Sequence, residues 1–394
     1  MQQFADRLLS DGLLAGLPTG PGYAIVIAVF AFILLNFIML IAGVTSWLER
    51  RVWARIQSRV GPNRVGPQGA IQWLADGIKN ILKEDIVPTA ADRRLFKFAP
   101  YVAMTGFFGA FACLPFGDGL IIADLNIGLL YITAVTALVV VGILMAGWSS
   151  NNKWALLGGI RSAAQIVSYE IPAGLSVMPI VLLTGTLSMQ GIITAQGWAP
   201  WRWFLFANPF TFVAFFIFFT AALAEGNRTP FDLPEAESEL VAGAFTEYSG
   251  IRSLLFFLVE WGNLYVIGAL STTLFLGGWQ VPAVSSNAFV MGVLQVLTFF
   301  LKSYFLVFVA MWVRATLPRV RVDQLMALCW KYMTPIAFVN LIGTAVWMTI
   351  FPNGNRVVEL AMTAFGLAIV GYFLARVRYH LRRAKPELYL SPAI

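Results

Sequence analysis

The chain has 394 residues, of which 59% are hydrophobic and 12% are charged, and its formal net charge at pH 7 is +7. Soluble domains usually carry about 25% charged residues, so this composition excludes a soluble enzyme and a disordered protein. With 32 Phe and 13 Trp residues, it is typical of a polytopic membrane protein, in which aromatic side chains mark the lipid interfaces. The excess Lys and Arg of such proteins lie in cytoplasmic loops, so we expect no nucleic-acid partner.

Nine apolar runs are long enough to cross a bilayer, which takes about 20 residues of helix. They lie at about 22–47, 98–117, 127–147, 163–187, 204–224, 254–278, 287–313, 335–351 and 357–375. The first run is too long for a cleaved signal peptide and lacks a preceding basic segment. The pattern predicts an all-α fold, a helical bundle forming a single integral membrane domain over 1–394 with about nine transmembrane helices.

The distribution of basic residues between the runs predicts the orientation of the chain. If the amino terminus lies outside, the only outer residues among the 27 Lys and Arg are Arg7, Arg202 and Arg356, while Lys302 lies within the seventh run. Cytoplasmic loops carry the excess of basic residues in membrane proteins. We therefore expect an outer amino terminus, a cytoplasmic carboxy terminus and a basic cytoplasmic tail at 376–394.

The first long inner loop, 48–97, contains an amphipathic segment at 67–85. As a helix, this segment has an apolar face that comprises Ile71, Leu74, Ala75, Ile78 and Leu82. Such a helix lies along a membrane surface with its apolar face towards lipid. Two interpretations stay open: the helix only supports the interface, or it roofs a slot between the lipid and a cytoplasmic chamber.

The second long inner loop, 225–252, is acidic, with Arg228 as the basic residue of its acidic stretch. The carboxylates are Glu225, Asp232, Glu235, Glu237, Glu239 and Glu247. Carboxylates held close together share protons. The alternative is a solvated acidic loop, but apolar residues such as Phe231 and Leu240 interleave with the acids, which favours a packed loop.

Three charged residues fall inside the predicted spans: Glu170, Glu260 and Lys302. A charge at mid-bilayer costs about 2.5–3.5 kcal/mol or more, so such residues usually face a cavity and serve an ion or proton path. The structural alternative is a buried Glu–Lys or Glu–Arg pair that only locks helices together.

Few residues could hold a metal redox centre. The chain has two cysteines, Cys113 and Cys329, and one histidine, His380, whereas an iron–sulfur cluster generally needs four ligands and a haem needs axial ligands. We therefore expect no metal or flavin on this chain, so that any electron chemistry comes from a partner or a bound organic molecule.

Four segments of the chain carry a family resemblance. They read ERRVWARIQSRVGPNRVGPQGAIQWLADGIKNILKED, IRSAAQIVSYE, AEGNRTPFDLPEAESELVAGAFTEYSG and RATLPRVRVDQLMALCWK. In these segments the chain resembles the H subunit of proton-pumping NADH:quinone oxidoreductase, respiratory complex I. The resemblance covers about residues 22–351, and the ninth apolar run and the basic tail extend beyond the eight-span mitochondrial form.

The resemblance implies a membrane subunit that anchors the peripheral arm and forms a tunnel from the bilayer to a quinone site. The quinone, ubiquinone or menaquinone, is the substrate, and a neighbouring subunit carries the terminal iron–sulfur cluster. A chain of buried charged residues then couples quinone reduction to proton translocation. The implied partners are the peripheral-arm subunits of the quinone site and terminal cluster, the small A, J and K membrane subunits, the antiporter-like subunits and membrane lipid. The tail and composition favour a bacterial inner membrane.

By motif position, the resemblance implies two sets of site residues. Quinone-tunnel roles fall on Arg50, Arg59, Asp76, Arg228, Phe231, Arg314, Arg319 and Arg321. Coupling roles fall on Arg161, Tyr169, Glu170, Glu225, Asp232, Glu235, Glu237, Glu239, Glu247 and Glu260, and the motif gives Arg228 a coupling role as well. Lys302 joins the coupling set from its predicted burial as much as from its motif.

Two other functions stay open. One is a homologous subunit of a membrane-bound nickel–iron hydrogenase, or of an enzyme that oxidises another donor; the full GPNRVGP and TPFDLPEAESELV strings favour the quinone enzyme. The other is a stand-alone cation/proton antiporter. An antiporter would need neither the long amphipathic segment nor a helix-breaking acidic loop on the cytoplasmic side, so this function is disfavoured.

Overall fold

The computed structural model of the protein describes residues 19–234, 237–284, 286–352 and 354–383. Within these ranges, the secondary structure consists of helices and connecting loops, with no β-strand beyond one isolated bridge. The predicted all-α fold is therefore confirmed. Glu235 lies outside the described residues, as do the side chains of Glu237 and His380.

The helices follow one another with short connections. In chain order they are α1 (Thr19–Ile56), α2 (Gln72–Leu82), α3 (Arg93–Ala112), α4 (Gly128–Ser149), α5 (Lys153–Thr184), α6 (Met189–Thr194), α7 (Pro209–Glu225), α8 (Glu237–Leu240), α9 (Gly250–Phe275), α10 (Ala288–Thr316), α11 (Val322–Ala327), α12 (Thr334–Ile350) and α13 (Arg356–Arg383). A π-helical turn, Leu328–Met333, joins α11 to α12.

In the described part of the chain, 8 helical segments are long and apolar enough to cross a membrane. They are α1, α3, α4, α5, α9, α10, the continuous segment from α11 to α12, and α13. The remaining predicted span corresponds to α7, a shorter apolar helix of 17 residues. The protein is thus an integral membrane helical bundle.

Two helices begin well before their predicted apolar runs because polar side chains cap them. The carboxylate of Asp92 accepts hydrogen bonds from two backbone N–H groups in the first turn of α3. The amide oxygen of Asn152 accepts one from the first turn of α5. Such caps satisfy N–H groups that have no partner within a helix. Consequently α3 starts at Arg93 rather than 98, and α5 starts at Lys153 rather than 163.

Consecutive spans alternate in direction, which defines two sides of the bundle. We call the side that holds α2 and the acidic loop the inner side. The outer side holds the connections 113–127, 185–208 and 276–287.

The amphipathic segment forms α2, which packs across α1 and α9 at the inner side. A close approach fixes this packing: a Cβ added to Gly43 of α1 would lie within 2.8 Å of several atoms of the Trp73 indole ring. The apolar side chains of Leu74 and Ile78 are 46% and 53% exposed. α2 therefore keeps an apolar surface free for lipid while it covers part of α1.

The acidic loop is packed rather than solvated. The side-chain amide of Gln165, in α5, donates hydrogen bonds to the carbonyl oxygens of Ala224 at 2.7 Å and Phe231 at 2.6 Å. Phe231 and Leu240 are buried. The helix within the loop is short, since α8 covers only Glu237–Leu240 and a 3-10 turn follows at Gly243–Phe245.

Candidate functional site

An apolar slot lies between α1, α2 and α9 at the inner side of the bundle. Its volume is about 540 Å³, within the range of small-molecule sites. Most of its wall is apolar or aromatic, contributed by Met39, Ala42, Trp73, Leu74, Ile78, Ile81, Leu254, Phe257, Leu258 and Trp261. The slot can therefore accept an apolar small molecule.

A charged pair supplies polar groups in the wall of this slot. Nη1 of Arg50 lies 2.5 Å from Oδ2 of Asp76, and Nε2 of Gln72 donates to Oδ1 of the same carboxylate at 3.1 Å. The Arg50 guanidinium also lies 5.8 Å from the ring centre of Trp261. Arg50 and Asp76 are both predicted tunnel residues, and the structure brings them together.

A second charge cluster is buried directly behind the slot. Nη1 of Arg228 lies 3.0 Å from Oε1 of Glu49 and 3.1 Å from Oε1 of Glu260, and Arg314 pairs with the same oxygen of Glu49. The side chain of Arg228 is only 2% exposed and that of Glu49 only 7%. Opposite charges at this distance offset part of the cost of burying each ion.

The slot and the cluster share one wall because their residues are neighbours in the chain. On α1, Glu49 belongs to the cluster and Arg50 to the slot; on α9, Glu260 belongs to the cluster and Trp261 to the slot. Successive side chains of a helix point about 100° apart, since a turn takes 3.6 residues. α1 and α9 thus each present a carboxylate to the cluster and the next side chain of the helix to the slot.

Several carboxylates of the acidic loop have partners on α5, at the cap of α5, or between α10 and α11. Glu239 lies 2.7 Å from Nη1 of Arg161, and Glu247 accepts a hydrogen bond from the side chain of Asn152 at 2.7 Å. Asp232 lies 3.8 Å from Nη2 of Arg319. These contacts hold the loop over the inner ends of the helices.

The predicted coupling residues Glu170 and Glu225 lie on α5 and at the inner end of α7, two helices that pack against each other. The adjacent Tyr169 is fully buried, and its hydroxyl donates to the carbonyl oxygen of Leu325 at 2.9 Å. Its ring lies 5.9 Å from that of Phe231. Phe231 therefore packs against α5 and is not part of the slot wall, although it was predicted as a tunnel residue.

Three further predicted residues lie apart from the slot and the cluster. Arg59 lines a separate basic cavity of about 660 Å³ with Arg51 and Arg55. Arg321 is exposed at the start of α11. Lys302 is separated from Arg314 by 12 positions of α10, or about 18 Å at 1.5 Å per residue.

A buried Glu–Lys pair, one of the structural alternatives for the charges in the spans, is not found among the described residues. The ammonium of Lys302 instead donates to the carbonyl oxygens of Leu276 at 2.8 Å and Gly278 at 3.0 Å, on the outer side. A Glu–Arg pair does form, between Glu260 and Arg228. Burial alone does not tell which way along a helix a side chain reaches; the signal that could have placed Lys302 is that helical side chains lean towards the amino-terminal end of their helix.

Glu49 is the functional candidate that sequence reasoning missed. It stands at the inner end of α1 beside two arginines, in a string that reads LERR. Its partners Arg228 and Arg314 lie 179 and 265 positions away. The signal was weak: an acid at the end of an apolar run, within an otherwise basic loop.

Tyr248, in the last part of the acidic motif, ties the loop to α3. Its ring stacks on that of Phe96 at 4.1 Å, and its hydroxyl donates to the Phe96 carbonyl oxygen at 3.0 Å. Burial raises the pKa of Tyr248 to about 12, although the neighbouring Ser149 and Arg252 favour the ionised form. The hydroxyl therefore remains a hydrogen-bond donor at physiological pH.

The part of the chain that forms the slot and the charge cluster is similar to known proteins. The model of the family described as NADH dehydrogenase matches residues 28–345. The H subunit of the NADH-quinone oxidoreductase of Anaeromyxobacter dehalogenans is 56% identical over 90% of this chain and 88% of that protein. The corresponding H subunits of Chlorobium luteolum and Geobacillus thermodenitrificans are 48% and 46% identical, over 87% and 85% of this chain and 94% and 98% of their own lengths.

Proposed function

We propose, from the premise that the chain belongs to the NADH dehydrogenase family as an H subunit of NADH-quinone oxidoreductase, that its slot is the quinone access path. In this proposal the isoprenoid-bearing quinone enters from the lipid between α1 and α2. Its head group passes Arg50 and Asp76 on the way to the partner subunit that reduces it. The same chain anchors the peripheral arm through its inner loops.

The shared wall between slot and cluster is the observation that supports this function. A molecule in the slot touches Arg50 and Trp261, and their neighbours in the chain, Glu49 and Glu260, are held by Arg228. A change of charge in or near the slot therefore acts electrostatically on the cluster, which lies on the other side of α1 and α9. In a medium of low dielectric constant, such charges interact strongly.

The coupling follows from the chemistry of quinone. Reduction of one quinone to quinol consumes two electrons and two protons, so it withdraws protons from the chamber beside the acidic loop. We infer that this demand for protons changes the charge of the buried carboxylates and that the change passes through Glu225, Glu170 and Glu260. The antiporter-like subunits receive it and translocate protons.

The proposed orientation of the chain in the membrane is the one that the charges of its loops predict. The inner side is the cytoplasmic side of a bacterial inner membrane, with the amino terminus outside, because the basic residues gather on the inner side. There the loops 48–97 and 225–252 meet the peripheral-arm subunits of the quinone site and terminal cluster. The small A, J and K membrane subunits and the antiporter-like subunits lie beside the spans.

Two adjacent arginines provide the test of the slot. Arg50 faces the slot, whereas Arg51 turns away and donates to the carbonyl oxygen of Gln68 at 2.6 Å. In the purified complex, we expect Arg50→Gln to raise the KM for quinone by about tenfold, the effect of losing about 1.4 kcal/mol of binding.

The matched control is Arg51→Gln, which should change the KM for quinone far less. Reduction of ferricyanide by NADH, which needs no apolar slot, should be the same in both variants and confirms that electron entry from NADH is intact. Equal quinone KM values in the two variants would contradict the assignment of the slot.

A further inference from the structure

One buried side-chain amide on α5 holds the turn that joins α7 to the acidic loop. Gln165 is only 1% exposed. Its amide nitrogen donates to the carbonyl oxygens of Ala224 at 2.7 Å and Phe231 at 2.6 Å, and lies 3.3 Å from Oδ1 of Asn227. Among the described residues, the amide oxygen of Gln165 has no hydrogen-bond partner. Gln165 therefore acts on the loop as a hydrogen-bond donor.

The turn that this amide holds carries Arg228 at its centre. Ala224 stands four positions before Arg228 and Phe231 three positions after it, so the two bonds fix both ends of the turn. Within the turn, the N–H group of Phe231 donates to the carbonyl oxygen of Arg228 at 2.8 Å. From this position the buried guanidinium reaches Glu49 at 3.0 Å and Glu260 at 3.1 Å.

The face of α5 that bears Gln165 holds the turn and the loop at further points. The backbone of Asn227 is left-handed, with φ at 50°, a conformation that Asn adopts more readily than most residues. The Asn227 amide donates to the hydroxyl of Ser162 at 3.3 Å, and Ser162 is on the same face of α5 as Gln165, three positions away. A Cβ added to Gly158, one turn earlier, would lie 2.7 Å from the backbone nitrogen of Ala244. This face of α5 therefore determines where the loop lies.

We propose that Gln165 is a positioning residue for coupling, because the turn that it holds keeps Arg228 between Glu49 and Glu260. The inference rests on the proposed function for the role of the charge cluster. The wall of the slot is formed without Gln165, so its effect reaches the cluster through the backbone of the turn. Without the amide, two buried carbonyl oxygens lose their donor. Leaving such groups unsatisfied is costly, so the turn shifts and Arg228 shifts with it.

The outer side of the bundle offers a matched control. Gln196 is 5% exposed, and its amide nitrogen also donates to backbone carbonyl oxygens, those of Ile192 at 3.3 Å and Thr273 at 2.9 Å. Its substitution removes the same kind of buried hydrogen bond, far from the acidic loop. The variant thus separates a general loss of stability from a displacement of Arg228.

The test uses the whole complex in proteoliposomes and reports each rate per bound flavin. Gln165→Met keeps the length of the side chain but removes its donor. We expect the variant to pump protons about tenfold more slowly, the equivalent of about 1.4 kcal/mol, with the KM for quinone unchanged because the slot is intact. Gln196→Met should yield less assembled complex, but its pumping rate per flavin should stay near that of the unmodified complex.

A double variant separates positioning from a structural role. Arg228→Lys keeps the positive charge, but its shorter stem and single nitrogen cannot replace the guanidinium between two carboxylates, so pumping should fall. Independent effects multiply, whereas effects exerted through one residue do not. Adding Gln165→Met to Arg228→Lys should therefore lower the pumping rate by no more than about a further twofold. A further tenfold loss, or normal pumping in Gln165→Met alone, would overturn the positioning role.

The same variants distinguish failure of this inference from failure of the proposed function. Normal pumping in Arg228→Lys would refute the role of the cluster, and the positioning role with it. Impaired pumping in Arg228→Lys beside normal pumping in Gln165→Met would refute the positioning role alone.

If Gln165→Met does not assemble, Gln165→Asn replaces it. Asparagine keeps the amide but is one methylene group shorter, so it cannot reach both carbonyl oxygens. Slower pumping that Arg228→Lys does not compound would support the inference. Normal pumping, or a loss that multiplies with that of Arg228→Lys, would overturn it.

Discussion

Glu49 and Arg228 form a buried ion pair, with 3.0 Å between Oε1 and Nη1, although 179 positions separate them in the chain. The pair joins the end of the first span to the acidic loop. Because Glu260 and Arg314 complete the cluster, two carboxylates and two guanidinium groups balance one another in a site with little access to water.

Removing one acid from this balance should destabilise the subunit. In Glu49→Gln, Arg228 and Arg314 keep their charges and share one remaining carboxylate, and breaking a buried pair in this way costs about 3–5 kcal/mol. We expect much less assembled complex and a lower temperature of thermal inactivation. Native gels and residual NADH:quinone activity after heating measure both.

Two further variants distinguish charge balance from loss of a particular side chain. Glu84→Gln removes an exposed inner carboxylate and should assemble normally. The double variant Glu49→Gln with Arg314→Gln restores the balance and should recover part of the stability. If the double variant is no more stable than Glu49→Gln alone, charge balance is not the cause.

The close contact between α1 and α2 gives a prediction for the roof of the slot. Gly43→Ala places a methyl group within 2.8 Å of the ring of Trp73, so α2 must shift. Overpacking of this kind costs about 1–3 kcal/mol. We expect a several-fold higher KM for quinone, read in the same assay with a ferricyanide control. Gly174→Ala, which has no atom within 4 Å of its added methyl group, should leave the KM unchanged.

The relay proposal predicts that proton pumping depends on Glu225 and Glu170. Glu225→Gln and Glu170→Gln each keep the shape of the side chain but remove its charge change. We expect lower quinone reductase activity, pumping, or both, measured as NADH oxidation and dye quenching in proteoliposomes. Glu359→Gln, at the outer start of α13, should be normal. The relay is wrong if both inner variants assemble, reduce quinone and pump normally.

The spans were predictable from sequence because about 20 apolar residues in a row have few stable alternatives in a bilayer. The acidic loop was predictable as packed because apolar residues such as Phe231 and Leu240 alternate with its carboxylates. The first residues of the helices were harder to predict. Asp92 and Asn152 extend α3 and α5 into polar sequence, where hydropathy gives no signal.

Pairing between distant elements was the part that sequence could not supply. Arg50 and Asp76 lie in one motif and were assigned together, whereas Glu49 acquires its role only when α9, α10 and the acidic loop reach it. Lys302 was grouped with the inner acids on its predicted burial as much as on its motif. A lysine in a helix reaches towards the amino-terminal end of that helix, which for α10 is the outer side.

Tyr248 gives a prediction about pH. Its pKa of about 12 lies above the usual value of 10.0, so the fold favours the protonated hydroxyl. The resulting stability is complete below about pH 10 and is lost only as the pH rises towards 12. Between about pH 6 and pH 9, the Tyr248→Phe variant should therefore lose a constant amount, about 1 kcal/mol for the missing hydrogen bond, while its ring stays stacked on Phe96. Thermal inactivation of the complex at several pH values measures this loss, with the exposed Tyr101→Phe as the control. A loss that grows with pH in this range would show that the pKa of Tyr248 in the folded protein lies below its usual value, and would contradict the dominant effect of burial.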